Sequence, residues 1–315
     1  MQDIFVIDIG GTKIESIYIF DNLTYKTDIM KTPNSKNFHS DLEILIKFII
    51  PKIRSNVTKI TISFPGLIEE GIIKKWPNKP YWEGYDLKSS IHDYISNPVE
   101  IFEDSNMGAI SNFYIFDNSE NSIYINVGTG IGLGLLLNQQ LYLGNNNYAG
   151  ELGHTQVQSS KTINCSCGKI NCLQLFSSGK GMLDRLLEID KYYRRYKTLS
   201  EIPKYDQHLL VVLKEGGELL GITMSNLINI MDITNLHFGG SVINNPYYTN
   251  SLLNVLYENE SKFLNRKLNI QLNVLRNPSL VGGILIASGY NHLPKYQQNP
   301  LKSIIKLINS RSKKI

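Results

Sequence analysis

The residues best suited to chemistry fall in three places along the chain. The first holds His154 with Cys165, Cys167 and Cys172, which are all the cysteines present. An odd number of thiols in one short polar segment is no disulfide framework. One imidazole and three thiolates make a tetrahedral zinc site, and with no position left open such a site is structural. Its expected task is to hold the loop that carries His154. The second place is the turn Gly10, Gly11, Thr12, Lys13 after Asp8, echoed by Gly128, Thr129 and Gly130. Glycines let backbone amides approach an anion. Thr12 adds a hydroxyl donor, and Asp8 suits a hydrated magnesium ion beside phosphates. Either turn alone also reads as a tight hairpin; two of them suit a polyphosphate gripped from both sides. The third place is Asp104, where a strand gives way to a helix. A carboxylate there can project into a cleft and accept a proton. Local sequence alone favours a plainer role, that of helix N-cap.

Two familiar nucleotide-binding patterns are absent. No run fits the Walker A spacing, and the second turn misses the third glycine of the dinucleotide fingerprint and leads into a strand. With 315 residues, 42% hydrophobic and 19% charged, the chain has the composition of a packed protein of about two domains, not of a disordered or collagen-like one. Net charge is +4 and dispersed, which gives no footprint for nucleic acid. No apolar run is long enough to span a membrane. The strand-like opening at residues 4–8 lacks the parts of a secretion signal, so a cytoplasmic protein is expected. The basic, amphipathic segment from Leu301 reads as a closing helix packed on the first domain, in preference to a membrane-surface helix.

The elements that must position these residues follow from periodicity. Residues 4–9 and 14–20 read as a hairpin around the first turn, and 122–127 with 131–137 repeat that design around the second. In both, a polar residue precedes a Gly/Thr turn, a weak internal repeat of two α/β halves. Helical spacing covers 41–53, 105–116, 179–193, 208–230, 248–264 and 281–290; strands are expected at 60–64, 99–102 and 234–238. Alternation of strand and helix gives an α/β class with mixed sheets. The polar stretch 117–121 is the expected boundary. It divides residues 1–117 plus 291–315 from a larger domain of 118–290. The histidines at 39, 92, 208, 237 and 292 lack partners in sequence and read as ordinary core or surface residues.

Taken together, these motifs resemble the ROK family of sugar kinases, repressors and related open reading frames. The resemblance rests on the run Asp8 to Lys13, Pro65 with Gly66, the run Glu103 to Asn106, and the turn from Gly128 to Gly132. It continues through Gly150 to His154, the cysteine segment, the run Gly239 to Ser241, and Val281 to Ala287, in family order over nearly the whole chain. It implies a two-domain actin/hexokinase-like ATPase fold with ribonuclease H-like halves, ATP and a sugar meeting in an inter-domain cleft. With the family's Asp-x-Asn pattern on Asp104 and Asn106, Asp104 becomes the general base. By the same resemblance Asn78, Glu151 and His154 bond sugar hydroxyls and Gly66 gives backbone access beside the ring. Asp8, Gly10, Gly11, Thr12, Lys13, Gly128, Thr129 and Gly130 serve the phosphates and magnesium, and Gly239 and Gly240 lie near the nucleoside.

Two positions depart from the family pattern. Family kinases usually carry Asn where this chain has Glu103, and Glu where it has Gln174, and both positions touch the sugar. Glu103 is also expected to raise the pKa of Asp104 by like-charge repulsion. Repressor members carry a helix-turn-helix ahead of the first turn, and Asp8 at the start of the chain points to the kinase branch. The expected activity is ATP- and magnesium-dependent phosphorylation of a free hexose, glucose first, on its 6-hydroxyl, by a homodimer. N-acetylglucosamine and N-acetylmannosamine are the alternative acceptors. A sugar-binding sensor with little turnover is the reading from another class.

Overall fold

The structure is a computed structural model that describes residues 3–20, 24–53, 57–117, 120–273, 275–289 and 295–310. The chain opens with β1 (Asp3–Ile9), β2 (Lys13–Phe20) and β3 (Thr24–Lys31), then α1 (Phe38–Ile49) and β4 (Val57–Phe64). There follow the small hairpin β5 (Leu67–Glu69) and β6 (Ile72–Lys75), α2 (Leu87–His92), β7 (Val99–Glu103) and α3 (Asp104–Asn112). The five long strands form one sheet in the order β3-β2-β1-β4-β7. β1, β4 and β7 run parallel, while β2 lies antiparallel between β1 and β3.

β1 reads as a nearly unbroken apolar run because both of its faces are covered. Successive side chains point to opposite faces. Phe5, Ile7 and Ile9 therefore enter one core with Phe38, Leu42 and Ile46 of α1. Ile4 and Val6 enter another. α1 begins at Phe38, earlier than its apolar spacing implied, because Asn37 caps it by accepting the Ser40 N–H at 3.0 Å.

The second half repeats this plan. β8 (Ser122–Val127), β9 (Ile131–Leu137) and β10 (Gln140–Leu141) lead to α4 (Gln174–Ser177), α5 (Gly179–Ile189) and the long α6 (Gln207–Met231). β11 (Asn235–Gly239), α7 (Pro246–Lys262) and β12 (Asn269–Leu272) follow. The sheet order β10-β9-β8-β11-β12 matches the first sheet strand for strand, with the same mixture of parallel and antiparallel pairs. The repeat seen in the two hairpins is thus a repeat of whole sheets.

The chain then returns. α8 (Pro278–Ser288) and α9 (Lys295–Ser310) bury Leu280, Val281, Ile284, Leu301, Ile304 and Ile305 with Ile4, Val6, Ile17 and Ile19. One compact unit holds residues 1–116, 143–148 and 275–315; the other holds 117–142 and 149–274. The sequence carried the second domain to 290, whereas the return to the first unit begins at Leu275. The reason is packing: a Cβ on Gly282 would lie 2.1 Å from the Met107 carbonyl oxygen, so α8 sits directly against α3. Residues 118–119 of the expected boundary, the helix end at Tyr290, and His292 lie outside the described residues. Among the described residues no helix is long and apolar enough to cross a membrane.

Candidate active site and metal centre

The expected site residues fall into two sets, one in each unit. In the first unit, Asp8 lies near the carboxyl end of β1, in register with Glu15 of β2 and Ser63 of β4. β7 ends alongside, at Glu103, and α3 starts with Asp104. Three neighbouring parallel strands therefore end together, where open α/β sheets place their ligands.

Asp104 is the first helical residue of α3, not its cap. The N-cap is Glu103, and no side chain caps this helix. Burial first and then the charge of Asp8 raise the pKa of Asp104 to about 7, against a hydrogen bond from the Ser105 backbone. The like charge acting on Asp104 is thus that of Asp8, where the sequence pointed to Glu103. Asp8 is itself raised, first by burial and then by Glu15, against the pull of Ser63, Lys13 and Asn277. Two buried carboxyls, both raised and one of them by the charge of the other, suit a bound cation or a transferable proton.

The first glycine turn is closed by the Gly10 N–H donating to Lys13 O at 2.8 Å. Thr32 braces it from behind. Its N–H donates to Thr12 O at 3.0 Å and its hydroxyl to Gly10 O at 2.7 Å. Asn78 lies on this turn, since a Cβ on Gly11 would be 2.6 Å from its Nδ2. Lys13 is held by Glu15 at 2.8 Å, and Glu15 also accepts from Asn277 Nδ2 at 3.2 Å. Glu15 was not among the expected site residues. Its signal was the i, i+2 spacing from Lys13, which puts both on one face of β2. Gly66 has a packing reason of its own, for a Cβ there would meet Lys75 O at 2.3 Å.

In the second unit, Gly128, Thr129 and Gly130 join β8 to β9. The Gly128 N–H donates to Gly130 O at 3.0 Å, while the first amides of α5 reach back, Gly179 to Gly128 O at 2.8 Å and Lys180 to Thr129 O at 3.2 Å. Gly239 closes β11 in register with Asn126. Gly240 follows at φ +98°, where a Cβ would strike Val127 O at 2.3 Å. The two glycines expected near a nucleoside therefore lie beside the strand that leads into the second glycine turn.

His154, Cys165, Cys167 and Cys172 converge, with one ligand atom from each lying within 4.8 Å of every other. The Cys165 Sγ to His154 Nδ1 distance is 3.6 Å, and Cys167 Sγ to Cys172 Sγ is 3.5 Å. Ligands about 2.0–2.3 Å from a tetrahedral zinc stand roughly 3.5–3.8 Å apart, so this donor set fits that ion. The cysteine loop is folded by backbone bonds, from the Cys165 N–H to Lys169 O at 2.8 Å and the Gly168 N–H to Cys165 O at 3.0 Å. Burial opposes the thiolate of Cys165, but Cys167, Gln174 and Cys172 donate to it and bring its pKa to about 6. Burial, with Cys167 and Cys165, pushes Cys172 up to about 12.

His154 turns its other nitrogen toward Glu151, at 3.8 Å. Packing raises the pKa of Glu151 against the attraction of His154 and Lys169, although 47% of its side chain stays exposed. Gln174 joins the groups of this unit. Its Nε2 donates to Cys165 Sγ at 3.6 Å, and its Oε1 stands 3.4 Å and 3.7 Å from the places that Cβ atoms on Gly153 and Gly130 would take.

A xylose repressor of Bacillus subtilis is 29% identical over 255 residues, 78% of this chain and 66% of that protein. The chain spans 53% of a second, from Bacillus spizizenii. An N-acetylmannosamine kinase of Haemophilus influenzae is 23% identical over 75% of this chain and 79% of its own. In fold, the chain is similar to a ROK hexokinase from Thermus thermophilus, with a TM-score of 0.75 and 22% identity over 91% of this chain and 98% of that one. It is also similar to a ROK glucokinase from Streptomyces griseus in complex with glucose and AMPPNP, at 0.72 and 19%, over 91% and 99%. Both sheets therefore belong to the hexokinase-like ATPase fold. The ROK family model matches residues 4–286, and the chain belongs to the ROK family.

Proposed function

We propose that the protein is an ATP-dependent kinase of a free hexose, glucose by first preference, acting on the 6-hydroxyl. The observation that carries this reading is Asp104, whose carboxyl is held near pH 7 beside Asp8, at strand ends that also bear a glycine turn. A sugar hydroxyl is a weak nucleophile, and a base works best with a pKa near the operating pH. In phosphoryl transfer, positioning and charge stabilisation supply most of the catalysis.

Asp104 accepts the hydroxyl proton as the oxygen bonds to the γ-phosphorus and ADP departs. Asn78, Glu151 and His154 orient sugar hydroxyls, with Gly66, Glu103 and Gln174 beside them. The turns at 10–13 and 128–130 present amides and the Thr12 and Thr129 hydroxyls to the phosphates, and Gly239 and Gly240 receive the nucleoside. Asp8 would hold a hydrated magnesium ion, whose charge would offset that of the phosphates. Zinc on His154 and the three cysteines would fix the segment bearing Glu151.

The Haemophilus relative supports N-acetylmannosamine as an alternative acceptor. The repressor relatives support a second reading, a sugar-binding sensor of low turnover. ADP release with ATP and magnesium, run across glucose, mannose, fructose, allose and the N-acetylhexosamines, separates them. Sugar-dependent turnover that collapses in Asp104→Asn supports the kinase and names its acceptor. Sugar binding by calorimetry without turnover supports the sensor.

A further inference from the structure

Lys79 is 2% exposed and Asp41 is fully buried. Lysine is almost never buried so deeply unless it is paired. All three ammonium hydrogens have acceptors: Pro33 O, Asp41 Oδ2 at 3.1 Å and Tyr81 Oη at 2.9 Å. Asp41 accepts in addition from Tyr81 Oη at 2.7 Å, Trp82 Nε1 at 3.2 Å, and both Ser35 N and Oγ at 2.7 and 2.6 Å. Burial opposes its charge, yet the bonds from Ser35, Tyr81 and Lys79 hold its carboxyl well below the usual range.

Stability gives no reason to keep such a pair. Replacing a buried ion pair with apolar side chains of similar volume is often neutral or stabilising. Its location offers a better one. Lys79 follows Asn78, whose amide lies against Gly11. Pro33 follows Thr32, which braces Gly10 and Thr12. One buried cation thus joins the loop that presents Asn78 to the segment that shapes the first phosphate turn, with α1 as the anchor through Asp41.

Building on the kinase reading above, we propose that Lys79 is a positioning residue that couples the Asn78 loop to the phosphate turn, so that sugar and nucleotide each strengthen the binding of the other. Coupling of this kind is a reciprocal factor of about 5- to 150-fold between two ligands.

Trp76 and Trp82 flank Lys79 and are the only two tryptophans in the chain, so intrinsic fluorescence reports on this loop. The test titrates the full chain with magnesium AMPPNP in the absence and presence of glucose, and again with N-acetylmannosamine. The proteins are wild type, Lys79→Met, Thr32→Val and the double variant, with circular dichroism to confirm the fold. The expected result is a coupling factor in the wild type that falls to about one in Lys79→Met and drops in Thr32→Val. The double variant should lose no more than Lys79→Met, because effects through one shared path do not add. A coupling factor unchanged in Lys79→Met overturns the inference, as does a wild type that binds both ligands independently. If Lys79→Met does not fold, Thr32→Val, which leaves the ion pair intact, decides by the same criterion. Binding of neither ligand by folded wild type overturns the kinase reading and this inference with it.

Discussion

Asp104 shows how one position can look like two things until its neighbours are placed. Asp is a good helix cap, and nothing within a few residues of 104 argued against that use. The sheet adds what local sequence lacks, bringing Asp8 from a strand ninety-odd positions away to act on it. Sequence found both carboxylates but not the effect of Asp8 on Asp104, because like-charge repulsion depends on distance in space. The consequences are measurable. Asp104→Asn should lower kcat by about 10²–10⁴-fold with a smaller change in sugar affinity. On the proposed kinase reading, kcat of the wild type should rise as the pH passes about 7, since a general base acts in its ionised form. Stability should run the other way. A carboxyl raised from 3.8 to about 7 keeps its proton in the folded state while the unfolded chain has lost it, so stability falls between about pH 4 and 7 and levels off above. Asp104→Asn should therefore melt above the wild type at pH 8, by at most about 4 kcal/mol, and equal to it near pH 4. An equal gap at both pH values contradicts this account.

Among the elements, the segment from Gly150 to Gln174 carries little regular secondary structure, although Leu152 and Leu173 join the core. It holds one short helical turn, isolated bridges at Gln156–Cys172 and Asn164–Ile170, and the metal-ligand cluster. Its ligands were legible because a His/Cys set is a chemical signal that needs no periodicity. Edge elements were not. β3 is largely exposed and polar, and β12 is a short strand at the other sheet's edge, so neither shows the apolar pattern that reveals a central strand. Complete chelation is expected to disorder this segment and abolish sugar binding, as metal affinity there is folding energy. Hydrogen exchange and calorimetry would check it, and sugar affinity kept after full metal removal would refute it. Gly150, at φ +108° with a Cβ position 2.1 Å from Leu133 O, sets where the segment leaves the sheet. Gly150→Ala should cost ~1–3 kcal/mol, read as a melting point lower by about 2–12 °C.

For the molecule as a whole, the two matching sheets were foreshadowed by two hairpins, and the return of the chain was only partly so. The amphipathic spacing from Leu301 suggested a closing helix, but nothing in the run Val281 to Ala287 said which unit it would join. That is decided by fit: small residues at 282 and 283 admit Met107 and Val6 to close approach. The buried trio Leu301, Ile304 and Ile305 contributes up to ~5–9 kcal/mol of apolar burial. Set against a net stability of about 5–15 kcal/mol for a typical protein, this makes α9 indispensable to the first unit. Deletion of residues 295–315 should leave a chain that binds a hydrophobic dye and melts without a cooperative transition in that unit. A sharp, wild-type-like melt would overturn the expectation.

The same return governs how the protein is made. Ile4 and Val6 leave the ribosome about 300 residues ahead of Ile304 and Ile305, which share their core. At about 5–20 residues per second, the opening strands wait roughly 15–60 s for their partners. The second unit, finished by residue 274, can fold while the first is still open on one face. Nascent chains stalled near 275 should then resist protease in their second half and be cut in their first. Chaperones that shield apolar strands would be needed most by the strands of the first unit that are synthesised ahead of the second.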